Sequence, residues 1–445
     1  MKSLKLLLRL AIVGALVLAL LIPLSMIRSL IAERTAYREQ AVERVALSSA
    51  GEQRLVGPLR ALPYVDVREQ AWTDATGQAR TRQVRSEGTL LQAPLSLQVG
   101  GQLRPQTRRV GLFDVPTYVW NGQLSAQFST ALPPAPAGAV RRYGTPYLVL
   151  GLRDVRGLQA APSLRVDGAA LRLQPGTRAF NAHLAGVSAL LPEVVDGRVP
   201  GRSVTLSFAL AGTQALEVVP VADDSRVRLA SPWPHPAFGG DFLPVQRTVG
   251  ARGFDAQWAV SSLASQAQAQ LQRLQSDGGA QLDALRVELV DPVDAYTLAD
   301  RACKYGLLFV LLTFVGFGLL ELVRRMRIHP LQYLLVGLAL AMFFLLLFSL
   351  SEHIAFWLAY LIAAGACIGV QFVYLAGVLR SPWLAGGFAL ALTALYGALY
   401  GALYGLLMSE DNALLMGSLL LFAILAAIMW ITRRIDWYAL STELR

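Results

Sequence analysis

Thiols and amines are scarce in this chain. Only two cysteines occur, Cys303 and Cys367, and the long stretch from Arg28 to Ala302 has none. That stretch has no disulfide to rely on and must hold together by packing; it offers no thiol nucleophile and no cysteine metal site. Histidine is limited to four residues. None partners His235 at metal-ligand spacing, so zinc is not expected. Lysine occurs only as Lys2, Lys5 and Lys304, and all other basic charge is arginine, which reads as coding bias in an Ala- and Gly-rich chain. The net charge of +10 raises the question of nucleic acid. Between Glu33 and Arg301, however, 28 arginines face 24 acidic residues. No basic run or aromatic–basic interleave stands out, which argues against nucleic-acid binding. The stretch also lacks a defensible Ser-His-Asp spacing and a phosphate loop. The expectation is a non-enzymatic protein without cofactor or metal.

What the chain has in quantity is long apolar runs. A bilayer core asks for about 20 mainly apolar residues in a helix. Five such runs follow one another at 305–323, 331–350, 354–379, 384–408 and 413–432, and a sixth opens the chain at 10–27. None alternates as barrel strands do. Arg324, Arg325 and Arg327, then Arg380, then Arg433 and Arg434 occupy alternate connectors. The intervening ones, Ser351-Glu352-His353 and Ser409-Glu410-Asp411-Asn412, carry no Lys or Arg. Short cytoplasmic loops collect these cations. The arginine-bearing loops and the terminal segment 433–445 are therefore expected in the cytoplasm. Charge around the first run is undecided, since Arg28, Arg34 and Arg38 lie beyond it, and the parity of six spans puts segment 1–9 on the same face. The first run, behind Lys2, Lys5 and Arg9, reads as an uncleaved signal anchor, because it is long and no small-x-small cleavage site follows it. The expected class is a six-helix transmembrane bundle with a large β-rich, sandwich-like extracytoplasmic domain, 28–304, inserted between helices 1 and 2. Its partner is the lipid bilayer.

Inside the inserted region, residues 33–49 read as a polar helix continuing out of the first span. After it the texture is short β-like runs with turn residues between them. Leu55 to Val67 is the first, interrupted by Pro58 and Pro63. Gly88 to Val99 follows, and Gln70 to Arg85 reads as loop. Asn121-Gly122 signals a hairpin between Val110–Val119 and Leu124–Phe128. Asp167-Gly168 signals another, and Ser203–Leu210 pairs with Ala215–Val221 across Gly212. Pro133 to Gly138 marks a loop and a candidate subdomain seam. Ser262 to Gln275 suits a short surface helix. Asp294 to Lys304 is read as the start of the second span.

A few residues carry sharper ideas. Gly397, Gly401 and Gly405 repeat every four residues beside Tyr396, Tyr400 and Tyr404. Small residues at that spacing let helix backbones approach. The approach fits packing within the chain or a homo-oligomer face. Trp233 and His235, in Ser-Pro-Trp-Pro-His-Pro, fit either a recognition surface or simple packing. Glu352 and His353 fit either a functional polar pair or a helix-hairpin turn at the headgroups. Ionisable groups inside the spans are almost absent, with Glu321 near a span end and Gln371 the clear mid-span amide, which weighs against a proton-coupled transporter.

Several blocks together resemble one family. They are Ile22-Pro23-Leu24 with Met26-Ile27-Arg28, Leu55-Val56-Gly57-Pro58, Ser231 to Pro236, Asp291-Pro292-Val293 through Lys304-Tyr305-Gly306, Arg327-Ile328-His329-Pro330, Ser351-Glu352-His353 and Ser409 to Leu415. In order and nearly end to end, they are similar to CreD, an inner-membrane family tied to bacterial cell-envelope integrity. The resemblance implies an inner-membrane location and an envelope stress-response role linked to a sensor-kinase regulon, with envelope or two-component-system proteins as candidate partners. It carries no catalytic residues across. The alternatives are a transporter or enzyme acting on an envelope lipid or wall precursor, and a sensory partner of a membrane kinase.

Overall fold

Alternation of apolar and polar residues builds the larger part of the molecule, and uniformly apolar helices build the rest. The computed structural model describes residues 2–73, 79–180, 184–194, 198–277, 282–290, 294–324 and 329–379, with scattered positions from 401 to 430. The chain divides into two units, Met1–Tyr37 with Val293–Arg445, and Arg38–Pro292.

The β unit holds seventeen strands among its described residues. They are β1 (Gln53–Thr73), β2 (Ala79–Gln92), β3 (Ser96–Val110), β4 (Phe113–Gln127), β5 (Ala139–Tyr143) and β6 (Tyr147–Leu152). Then come β7 (Ser163–Val166), β8 (Ala169–Leu171), β9 (Gln174–Pro175), β10 (Gly186–Leu190), β11 (Ser203–Thr213) and β12 (Ala215–Val219). The last are β13 (Asp224–Ser231), β14 (Pro236–Gly240), β15 (Gln246–Gly250), β16 (Gly253–Ser261) and β17 (Leu285–Leu289). One sheet runs β14-β17-β12-β1-β6-β10-β9, with β2 and β5 also on β1. The other runs β15-β16-β13-β3-β4-β11-β7-β8. Pairing is antiparallel except for β1 with β12 and β3 with β13. Leu55, Leu148, Leu150 and Leu216 of the first sheet and Leu97, Leu124, Leu206 and Trp258 of the second belong to one buried core. A β-rich, sandwich-like domain is what the residue pattern predicts.

The details depart from the sequence reading in several places; the expected strand Gly88–Val99, for one, is the end of β2 and the start of β3. β1 is not interrupted at Pro58 or Pro63; it continues for 21 residues with a register shift between Val56 and Leu59. Gln70–Thr73 and Ala79–Arg85 are strand rather than loop, because β1 pairs β2 from Arg60↔Gln92 to Thr73↔Ala79. Asn121-Gly122 is not a turn: β4 passes straight through it, and β3 turns into β4 at Gly111-Leu112, between Val110 and Phe113. Gly122 serves close packing instead, since a Cβ there would overlap the Phe208 ring. Finally, β11 and β12 do not pair. The chain changes sheets at Gln214, which has φ +62°, and the Tyr118 hydroxyl donates to Ala215 O at 2.7 Å to hold the crossing. The Asp167-Gly168 hairpin is present, with both residues at positive φ, as a type I′ turn asks. No seam divides the β unit at 133–138.

The first helix, α1 (Lys2–Ser48), is continuous through Pro23. A short helix, α2 (Ala267–Asp277), lies in the β unit where a surface helix is expected. The helical unit adds α3 (Ala295–Lys304), α4 (Gly306–Arg324), α5 (Pro330–Ser351) and α6 (Phe356–Leu379). Asp294 caps α3 by accepting from Thr297 N, and Tyr305 ends it, so residues 294–304 form a separate helix rather than the start of the next span. His329 and Gln332 form a reciprocal capping box on α5. Three helices among the described residues are long and apolar enough to cross a membrane: Ala11–Ser48, Pro330–Ser351 and Phe356–Tyr374. Gly306–Val315 is a shorter apolar helix. The apolar runs 384–408 and 413–432 lie largely outside the described residues.

Candidate binding surface

In β13 and β16 every second side chain enters the core, which leaves the alternate set on the outside of the sheet. On β3, β4 and β11 the same rule turns Gln98, Gln123, Ser125, Thr205 and Ser207 outward. Strand register aligns these residues in rungs. One rung runs Ala259–Arg226–Gln98–Ser125–Thr205. The next runs Gln257–Arg228–Gly100–Gln123–Ser207. Together they floor a groove of about 910 Å³. Arg226 pairs with Asp224 at 3.2 Å, and Arg228 forks onto Asp255 at 2.9 and 3.1 Å, so the cations here are already neutralised. The amides of Gln98, Gln123 and Gln257 are not so engaged. Leu243 and Val245, exposed to 66% and 69%, precede β15 on the β16 side. The sequence does contain a signal for this face: Asn121, Gln123, Ser125 and Gln127 alternate with core residues, as do Ser203, Thr205 and Ser207. A search for catalytic motifs passes over it, because uncharged polar residues form no motif.

The residues singled out from sequence are not brought together. The Trp233 indole donates to Val290 O at 2.9 Å and His235 O at 3.2 Å and packs against the core, so it pins the Pro-rich loop to the end of β17. His235 is exposed just before β14. Glu352 caps the end of α5, accepts from the Tyr296 hydroxyl at 3.2 Å, and lies 3.8 Å from Arg34 Nε. Burial, then the Glu352 carboxylate, pushes the Tyr296 phenol up to about 12. His353 beside it is exposed. Gly397 lies outside the described residues. A Cβ at Gly401 meets nothing within 4 Å among those described, while the Tyr404 ring lies tilted against Tyr360 with centroids 5.4 Å apart. A different small residue closes a helix contact: a Cβ on Gly337 of α5 would overlap Leu20 of α1.

Two arginine clusters also escape motif reading. Arg54, Glu217 and Arg286 are register partners on β1, β12 and β17. Arg153 reaches Glu52 and Glu217 at 2.9 Å each, and Arg286 reaches Glu52 at 2.7 Å and Glu217 at 2.8 Å. The Arg286 fork holds the Glu52 carboxyl below its usual range. For Glu217, burial pushes upward, but Arg54 and Arg286 outweigh it and the carboxyl stays low. Arg60 is fully buried. Its guanidinium donates to Gln92 Oε1 at 2.9 Å, Pro200 O at 3.0 Å and Ser129 O, and lies over the Phe128 ring.

Apolar helices joined to a folded β-rich unit define a membrane protein with a large β-rich domain. The model of the family described as "Inner membrane protein CreD" matches residues 5–438. The inner membrane protein CreD of Escherichia coli (strain K12) is 37% identical over 427 residues, covering 96% of this chain and 92% of that protein. The chain therefore belongs to the CreD family of inner-membrane proteins.

Proposed function

We infer that the chain crosses the inner membrane six times, with both termini cytoplasmic, and displays its β unit on the far side in a non-enzymatic role in envelope integrity. The carrying observation is the β unit itself: Arg38–Pro292 is one compact fold preceded and followed in the chain by apolar helices. The arginine-bearing connectors support the orientation. Residues Arg433 and Arg434 and the parity of six spans support the cytoplasmic C-terminus. The groove on the second sheet is the surface this unit would present to envelope components. Reporter fusions at residues 200 and 440 test the topology, with exported and cytosolic signal expected respectively; the reverse pattern sinks it. A deletion strain tests the role. It should become more sensitive to detergents, envelope-active toxins and cell-wall antibiotics, and unchanged sensitivity to all three would refute the assignment.

A further inference from the structure

The chemistry of the groove narrows what it can hold. Nucleic acid asks for unpaired cations and aromatic stacking platforms. Here Arg226 and Arg228 are neutralised by Asp224 and Asp255, and the aromatic nearest the floor, Trp258, is 2% exposed and points into the core. A protein partner would seat aromatic or aliphatic anchors in apolar pockets. The side chains of the floor that reach solvent are mainly amides, hydroxyls and guanidinium–carboxylate pairs, with Val245 the exposed apolar exception; Val99, Leu124, Leu206 and Val227 between them are almost wholly buried. A lipid tail finds no apolar trough there for the same reason.

One ligand class matches all of this. Each glutamine amide offers two donors and an acceptor, and each Ser or Thr hydroxyl offers one donor and two acceptors. Sugar hydroxyls and acetamido groups have the same mixed character and carry no net charge. The two rungs cross five strands, β16, β13, β3, β4 and β11, and adjacent strands lie about 4.8 Å apart. An extended ligand laid across the strands therefore meets a polar group at every step over roughly 19 Å. At the β16 side, the exposed Val245 lines the groove and supplies an apolar edge for the C–H face of a pyranose ring. Neutral meets neutral, and donors and acceptors are both present along the whole path.

We propose that the outer face of the second sheet binds a neutral glycan strand, laid across β16, β13, β3, β4 and β11 and held by Gln98, Gln123 and Gln257. The proposal rests on the reading that the β unit is exported.

The test uses the full-length protein in lipid nanodiscs, titrated calorimetrically with two soluble probes, a hexamer of N-acetylglucosamine and a hexamer of glucose. Saturable binding of at least one is expected. The triple variant Gln98→Ala, Gln123→Ala, Gln257→Ala should weaken it tenfold or more with the unfolding transition unchanged. His235→Ala, exposed away from the groove, should leave it intact. Three results would overturn the proposal: no heat with either hexamer at millimolar concentration, equal binding by the triple variant, or in-cell crosslinks from this face to a protein without any glycan binding. The fusions at 200 and 440 keep the two readings apart. Exported signal with no glycan binding removes the ligand alone, whereas cytosolic signal at 200 removes the premise beneath it.

Discussion

Replacing Arg60 with methionine is the most demanding check on how the β unit is held together. The side chain is fully buried, and burial pulls its pKa down to about 10, so it stays charged at neutral pH. Its donors satisfy Ser129 O and Pro200 O, with Gly201 O at 3.4 Å, and they reach Gln92 on β2. One residue thus ties three separate segments to β1. Methionine keeps the aliphatic stem but orphans those acceptors. A buried acceptor without a donor costs about 1–3 kcal/mol. Pro200 and Ser129 are half-buried, so water can recover part of this and the low end applies. Three carbonyls at the low end give about 3 kcal/mol. Loss of the contact over Phe128 adds roughly 1 kcal/mol. Removing a desolvated charge gives some of this back, leaving a net of about 3 kcal/mol.

For a unit of this size that corresponds to a drop of roughly 6–12 °C in Tm. Tryptophan fluorescence reports it, because Trp120 and Trp258 both lie in the core. The measurement is a thermal melt of the full chain in nanodiscs. Arg60→Lys should fall nearly as far, since a point charge with three donors cannot span the same fork. A methionine variant melting within about 2 °C of the parent would refute the reasoning. A lysine variant at full stability would show that charge, not geometry, is what the site requires.

Other predictions follow from single contacts. Glu217→Gln should cost about 1–2 kcal/mol at neutral pH, because Arg54 then loses its carboxylate partner while Arg153 and Arg286 keep Glu52. The carboxyls of Glu52 and Glu217 are depressed in the folded state, so their stabilisation is present above the ordinary glutamate pKa and lost as pH falls through the folded values. Acid melts should be flatter in the variant, and an equally steep acid limb would count against the ladder. Gly337→Val should destabilise the helical unit by about 1–3 kcal/mol through overlap with Leu20. Leu20→Ala in the same chain should recover part of that loss, and strict additivity in detergent inactivation would deny the contact. Tyr296→Phe should cost about 1 kcal/mol by removing the bond to Glu352. The raised phenol stabilises the fold fully below pH 10, and this is lost as pH rises towards about 12. The phenylalanine variant should therefore lose less stability between those values, and an unchanged alkaline limb would refute it.

Legibility in the sequence tracks the range of the forces involved. The apolar helices were readable because lipid imposes a length and a composition on each one separately. The Asp167-Gly168 hairpin was readable because its turn is a local requirement on two φ angles. Asn121-Gly122 carries the same kind of signature and fails, because Phe208, distant in sequence, needs room above Gly122 and the strand runs on. The switch of sheets at Gln214 was hidden for a similar reason, since what holds it is Tyr118, which lies on another strand. The groove was half visible. Alternating uncharged polar residues place a face outside, but only the register of five strands puts Gln98, Gln123 and Gln257 on one floor.

The arginine excess takes on a different meaning once the folded arrangement is considered. It reads from composition as coding bias, yet individual guanidiniums bridge strands in a β unit that has no cysteine. Arg60 joins β1 to two loops and β2. Arg141 forks onto Asp66 at 2.7 and 2.8 Å and stacks over Tyr64, fastening β5 to β1. Arg156 caps the end of α1 through Leu47 O at 2.6 Å and Ala46 O at 3.3 Å while gripping Asp154. The Glu52–Glu217 ladder ties β1, β12, β17 and the end of β6. Each of these sites uses two or more donors of one planar group, a geometry that an ammonium cannot reproduce. Because the cross-links lie in the core, on the other sheet or at element ends, the groove floor is free to be soft, neutral and hydrogen-bonding. Stability and recognition thus fall on different residues, so the triple glutamine variant can lose a ligand without losing the fold.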